Sequence, residues 1–126
     1  MVFSFISIFG IISLRKINEE KLLDYKVIKL LCVHGEYRWT EHILKRMAQR
    51  SISRDDVKYA LLSGEIIEEY RDDYPYPSCL IHGFTEDNQS LHIVCGISEN
   101  ELWMITTYYP NLDDWNVGYL TRKEAK

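Results

Sequence analysis

The spacing of apolar residues changes once along the chain, at Gly64, and that change restricts the fold more than any other feature. Before Gly64 apolar residues recur three or four apart; after it they alternate. A 3.6-residue period places one stripe of a helix on a core, and a period of two does the same for one face of a strand. "NEEKLLDYKVIKLLCVHG" carries Leu22, Leu23, Val27, Leu30 and Leu31 at helical spacing and stops at Gly35. Thr40 is placed to cap a helix from Glu41 to about Arg50, with Ile43, Leu44 and Met47 inward. Ser53 caps a third, with Asp55 and Asp56 at its positive end and Val57, Ala60 and Leu61 facing the core.

Beyond Gly64, "EIIEEY", "CLIHGF", "LHIVCGI" and "ELWMITTYY" read as strands. "YPYPS" is a stiff connection, "TEDNQS" a hairpin loop and "SEN" a short turn. After "PNLDDW" the polar tail reads as partly helical. Helices followed by hairpin-linked strands predict an α+β fold, with two to three N-terminal helices packed on a four-stranded antiparallel sheet.

At 126 residues and 15.0 kDa the chain is long enough for one ordinary core. That domain is expected over residues 19–126. The apolar start "MVFSFISIFGIISL" is broken by Ser4, Ser7, Gly10 and Ser13 and is too short to span a bilayer. It has neither the basic start nor the cleavage site of a secretory signal. Residues 1–18 read as an extension outside the domain; a weak membrane anchor over 1–14, or an extra packed element, are the alternatives. Cys32, Cys79 and Cys95 are odd in number and form no C-x-x-C pair, which points to a reduced, cytoplasmic setting.

The net charge of -4 argues against a generally basic, nucleic-acid-binding body. The charge is polarised, however. Arg38 to Arg54 carries five bases and one acid, and Asp55 to Asp73 carries seven acids and two bases. Within "RWTEHILKRMAQRSIS", His42, Arg46 and Arg50 fall four apart on one helix face. Such a stripe is either a solvated surface paired with the neighbouring acids or a phosphate site, for which guanidinium offers a planar, permanently charged fork. His92 stands mid-strand, on the face opposite Leu91 and Ile93. A symmetric hairpin sets it across from Gly83, where a missing side chain would leave room for a ligand. It is either a buried, hydrogen-bonded ring or an acid/base group that titrates near ~6.5. Cys79, His82, His92 and Cys95 mimic a zinc set, but residues three apart on a strand face opposite ways. Thr106, Thr107, Tyr108 and Tyr109, with Trp115 behind them, end the last strand with hydroxyls and rings.

Taken together, H-x-x-x-R-M-x-x-R at His42, C-L-x-x-G at Cys79, L-H-x-V at Leu91 and I-T-x-Y-x-P at Ile105 closely resemble a prokaryotic family called domain of unknown function 4258. The resemblance runs from about Arg38 to Arg122. The usual family form has a glycine near Ser51, where this chain departs. The family is similar to RelE, MqsR and barnase-like toxin nucleases. The resemblance therefore implies helices on a curved antiparallel sheet, metal-free RNA cleavage with no cofactor, and a small antitoxin partner of MqsA type. On this reading the chain is the toxin of a type II toxin–antitoxin module that cleaves RNA by 2′-OH transesterification. His42 and His92 are expected as the acid/base pair, and Arg46 and Arg50 on the phosphate. Arg38, Thr107, Tyr109 and Trp115 are expected to bind substrate. The other reading is a non-catalytic module whose basic helix docks an acidic protein or nucleic acid. Either site requires the helical stripe to meet the His92 face of the sheet.

Overall fold

The computed structural model describes residues 24–124. The expected extension over 1–18, and its reading as an anchor, lie outside them. Among the described residues no helix is long and apolar enough to cross a membrane.

Two helices form where their caps predict, and another over the described part of the periodic run, whose Leu22 and Leu23 lie outside the described residues. Helix α1 is Tyr25–Val33, begun by the Asp24 carboxylate on the Lys26 amide. Strand β1, Tyr37–Trp39, leads into α2, Glu41–Arg50, whose first turn is closed by Thr40. Helix α3, Arg54–Leu62, opens on a reciprocal capping box between Ser53 and Asp56. Ser51 ends α2 at φ 57°, a left-handed conformation that costs a side-chain-bearing residue about 1–2 kcal/mol.

The strands are β2 (Glu65–Tyr70), β3 (Ser78–Phe84), β4 (Ser90–Ser98) and β5 (Glu101–Tyr108). The sheet is five-stranded and mixed, in the order β1-β5-β4-β3-β2, with β1 parallel to β5. This corrects the expected four antiparallel strands. The added strand is a three-residue edge that the Leu102 amide and the Met104 carbonyl tie to β5. The tail is also corrected: residues 111–122 form no helix, but turns closed by a bridge between Trp115 and Arg122.

All three helices cover one face. Ile28, Leu31, Ile43, Met47, Val57 and Leu61 pack on Ile81, Leu91, Ile93, Ile97, Leu102 and Met104 in one buried cluster. Cys79 and Cys95 also point there, their sulfurs 4.0 Å apart, while His82 and His92 point to the other face, which we call open. The β3–β4 loop spans Thr85–Gln89, so His92 pairs with His82, and Gly83 pairs with Leu91. The expected pairing of His92 with Gly83 is thus wrong by one residue, and the face of Gly83 changes with it. Gly83 is bare because α3 lies against it: a Cβ there would stand 1.8 Å from the Ala60 carbonyl oxygen.

A Gly83→Ala substitution must push α3 off the sheet. It is expected to lower the stability measured by urea unfolding by about 3 kcal/mol or more. A loss under 1 kcal/mol would show that this contact does not set the helix-to-sheet distance.

Candidate functional site

Two bulges determine what the open face carries. In β2 the register slips between Ile66 and Glu68. Ile66 faces the helices opposite Ile81, whereas Glu68 and Tyr70 turn to the open face opposite Leu80 and Ser78. In β5 the slip falls at Ile105: Met104 pairs with Cys95 on the helix side, but Thr106 and Tyr108 pair with Val94 and His92 on the open side. One extra residue reverses the facing of everything after it. The Thr40 hydroxyl, which caps α2, lies 3.1 Å from the Met104 and Ile105 carbonyls at this bulge. The helix start and the strand irregularity are therefore fastened together.

His92 is the centre of the open face and is fully buried. Its Nε2 lies 2.9 Å from the Tyr119 carbonyl, which can only accept, so Nε2 carries a proton. Burial pushes the ring's pKa down to about 4, although the Tyr119 bond opposes this. At neutral pH the ring is thus neutral, and Nδ1 is an acceptor. The Tyr108 hydroxyl, 3.3 Å away, donates to it across a long bond. Trp115 stands edge-on to the imidazole at 4.5 Å, and His82 at 5.5 Å. His82, 3.1 Å from the Ser90 hydroxyl, is likewise lowered by burial.

A clasp holds this cover in place. Arg122 bonds the Glu68 carboxylate through two nitrogens, at 2.8 and 3.1 Å, and lies 4.6 Å over the Trp115 ring. Burial raises the Glu68 pKa, but the bonds from Arg122 and Tyr70 outweigh it and hold the carboxyl below its ordinary value.

On the helix side of the same rim, the Arg50 guanidinium donates to the Thr107 carbonyl at 2.7 Å. Thr107 in turn donates its hydroxyl to the His92 carbonyl at 2.8 Å. Arg50, Tyr108, Tyr109 and Asn111 line an open cleft of about 370 Å³. Burial raises the Tyr108 pKa; Arg122 and Arg50 oppose this, and Glu68 and Asp114 add to it. Four ion pairs are formed among the described residues, and none uses Lys45, Arg46 or Arg50. The basic helix is therefore not neutralised by the acidic segment that follows it.

The expected site is only partly assembled. Arg50 and His92 approach one rim from opposite sides of the sheet, joined through Thr107 and Tyr108. His42 is not with them. It is exposed in the first turn of α2, in the helix layer, about 12 Å along the axis from Arg50, so no His42–His92 pair forms. Arg46 bonds Gln49 on the same helix. Arg38 bonds Glu101 beside Trp103, near the other end of β5. Thr107 is sealed, and Trp115 is 2% exposed, covering His92 rather than offering a face to a base. Tyr109 does reach the rim. Tyr108 was not among the expected site residues, although it holds the tyrosine position of I-T-x-Y-x-P. Among the described residues no three His, Cys, Asp or Glu side chains are grouped to hold a metal ion.

Helices on one face of a mixed five-stranded sheet, with a polar rim at the end of β5, define an α+β protein with a surface cleft. The family model described as domain of unknown function (DUF4258) matches residues 39–109, more than half of the chain, and the chain belongs to that family. No curated protein and no solved structure matches it significantly. The matched span includes Arg50, His92, Tyr108 and Tyr109; Trp115, Tyr119 and Arg122 lie beyond it.

The environment of His92 makes stability depend on pH with a definite sign. An imidazole near ~6.5 when unfolded and about 4 when folded contributes about 3 kcal/mol of stability. That contribution is fully present above pH ~6.5 and is lost as pH falls toward 4. Urea unfolding of His92→Gln, which keeps a donor for the Tyr119 carbonyl, is expected to show a shallower loss of stability over this window than wild type. Equal slopes would mean that His92 is not held neutral.

Proposed function

We propose that the chain is an RNA-cleaving toxin of a type II toxin–antitoxin module, acting without a metal at the Arg50–Tyr108 rim. The observation that carries this is Tyr108, turned by a bulge onto a buried neutral histidine beside an arginine that pairs with no carboxylate among the described residues. Because the Tyr108 proton is committed to His92, a phenolic lone pair is left to accept from a ribose 2′-hydroxyl. Arg50 has further N–H groups for the phosphate, and Tyr109 offers a ring for an adjacent base. O2′ attacks phosphorus as the P–O5′ bond breaks. The O2′ proton passes to Tyr108 as the phenolic proton moves to His92 Nδ1, and water protonates the departing oxygen. His42 has no part in this scheme, and Arg46 serves as part of the basic approach along α2.

The resemblance to RelE, MqsR and barnase-like nucleases implied by the sequence motifs motivates the reading, and helices layered on one face of a sheet accord with it. Three free cysteines accord with a reducing cytoplasm. An antitoxin of MqsA type is the proposed partner.

One observation favours the second reading, a module that binds RNA without cleaving it. Protonating a ring with a pKa of about 4 at pH 7 adds about 4 kcal/mol to the relay. The nuclease is therefore expected to be slow, and a further rise in this cost makes it a binder only.

RNA incubated with the protein in EDTA, followed by analysis for 2′,3′-cyclic phosphate ends, separates the two. Wild type is expected to cleave. Tyr108→Phe is expected to cut at least about 100-fold more slowly while still binding RNA. Arg50→Ala is expected to lose both binding and cleavage. Arg50-dependent binding with no cyclic ends establishes the binding module; no Arg50-dependent binding removes both readings. Growth arrest on expression, relieved by an adjacent antitoxin gene, is the corresponding test in cells.

A further inference from the structure

Four residues line the Arg50 cleft, and of these only Asn111 has no part in the scheme above. Asn111 is exposed and follows Pro110 directly. Its Oδ1 accepts from the Asp113 amide at 2.9 Å and from the Asp114 amide at 3.0 Å. Its carbonyl accepts from the Trp115 amide at 3.1 Å. Asn111 thus caps a single turn, a role that asparagine fills well. The two amides also decide which way the carboxamide faces. An N–H cannot donate to an NH2 group, so the oxygen is held in the turn and Nδ2 takes the other branch. No hydrogen bond among the described residues uses Nδ2. Capping alone does not call for asparagine, because aspartate and serine cap about as well. Aspartate would set a carboxylate in the cleft with Arg50 and has no donor. The serine hydroxyl stops one bond short of Nδ2.

We infer that Asn111 is a further substrate-binding residue of this cleft, donating through Nδ2 to a non-bridging oxygen of the RNA phosphate. The inference rests on the reading that the Arg50 cleft takes an RNA phosphodiester. Such a group spreads one negative charge over two non-bridging oxygens. Arg50 supplies the one positive charge, with an N–H already committed to the Thr107 carbonyl. The second oxygen then needs a donor but no second charge. A neutral side-chain amide is a donor of that kind. The turn fixes its orientation before RNA arrives, so little freedom is lost on binding.

The test uses cleavage-resistant 2′-O-methyl uridine hexamers with plain, all-Rp or all-Sp phosphorothioate linkages. Binding is read by fluorescence anisotropy and folding by urea unfolding. Asn111→Ser and Asn111→Asp keep the cap and are expected to unfold at the wild-type urea midpoint. Asn111→Ser is expected to bind the plain hexamer about tenfold more weakly than wild type, and Asn111→Asp more weakly still. Sulfur is a weak acceptor. The effect of Asn111→Ser is therefore expected to persist on one diastereomer and to vanish on the other, whose sulfur replaces the oxygen that Nδ2 contacts. The loss in Asn111→Asp is expected to shrink on that same diastereomer, which makes the result independent of how well serine caps the turn. Unchanged binding in Asn111→Ser, or a loss of equal size on all three hexamers, overturns the inference. Arg50-dependent binding in the same assay would then leave the proposed function standing. Absence of Arg50-dependent binding to any of the hexamers overturns both.

Discussion

The bond from His92 to the Tyr119 carbonyl is the constraint around which the rest of the open face is arranged. A buried imidazole is costly unless both nitrogens have partners. The carbonyl takes the proton of one nitrogen, and only a donor suits the other, so Tyr108 is oriented in turn. The tail then has to stay over the sheet, which the Arg122–Glu68 pair and the Trp115 ring ensure. Each contact follows from the need to keep one polar ring satisfied away from water.

The sheet's rim is where the two layers of the molecule can cooperate. Groups on opposite faces of a sheet are separated by the sheet itself, except at strand ends. Thr107 makes the link there: its hydroxyl bonds the His92 backbone, and its carbonyl receives Arg50 from the helix layer. Electrostatics follow the same division. The acids of β2 and its flanks engage Arg71 and Arg122, whereas the bases of α2 meet no carboxylate among the described residues, so an acidic protein presents a basic edge. A local field of this kind acts over about a Debye length, ~8–10 Å, which is enough to guide a phosphate into an adjacent cleft.

Much of the fold is legible in the sequence because caps and periodicity are local. Thr40 and Ser53 start helices where their side chains predict, and alternation finds four strands. What was not legible depends on single residues of offset or on distant partners. β1 is too short to show a period, and only its docking on β5 makes it a strand. The β3–β4 loop is one residue from the symmetric guess, which changed the meaning of Gly83 from a ligand gap to a seat for α3. The bulge at Ile105 reverses facing, so alternation along β5 does not show that Tyr108 faces His92. Trp115 reads as an aromatic near a rim; that it lies beneath Arg122 is decided by Glu68, far away in the chain.

The protonation state of His92 can be measured directly by nitrogen-15 NMR of its imidazole. The account predicts a neutral ring at pH 7 with the proton on Nε2, gaining a second proton only as pH approaches 4, and a Tyr108→Phe change that moves the Nδ1 resonance far more than Nε2. An imidazolium at pH 7, or a neutral ring protonated on Nδ1, would contradict it.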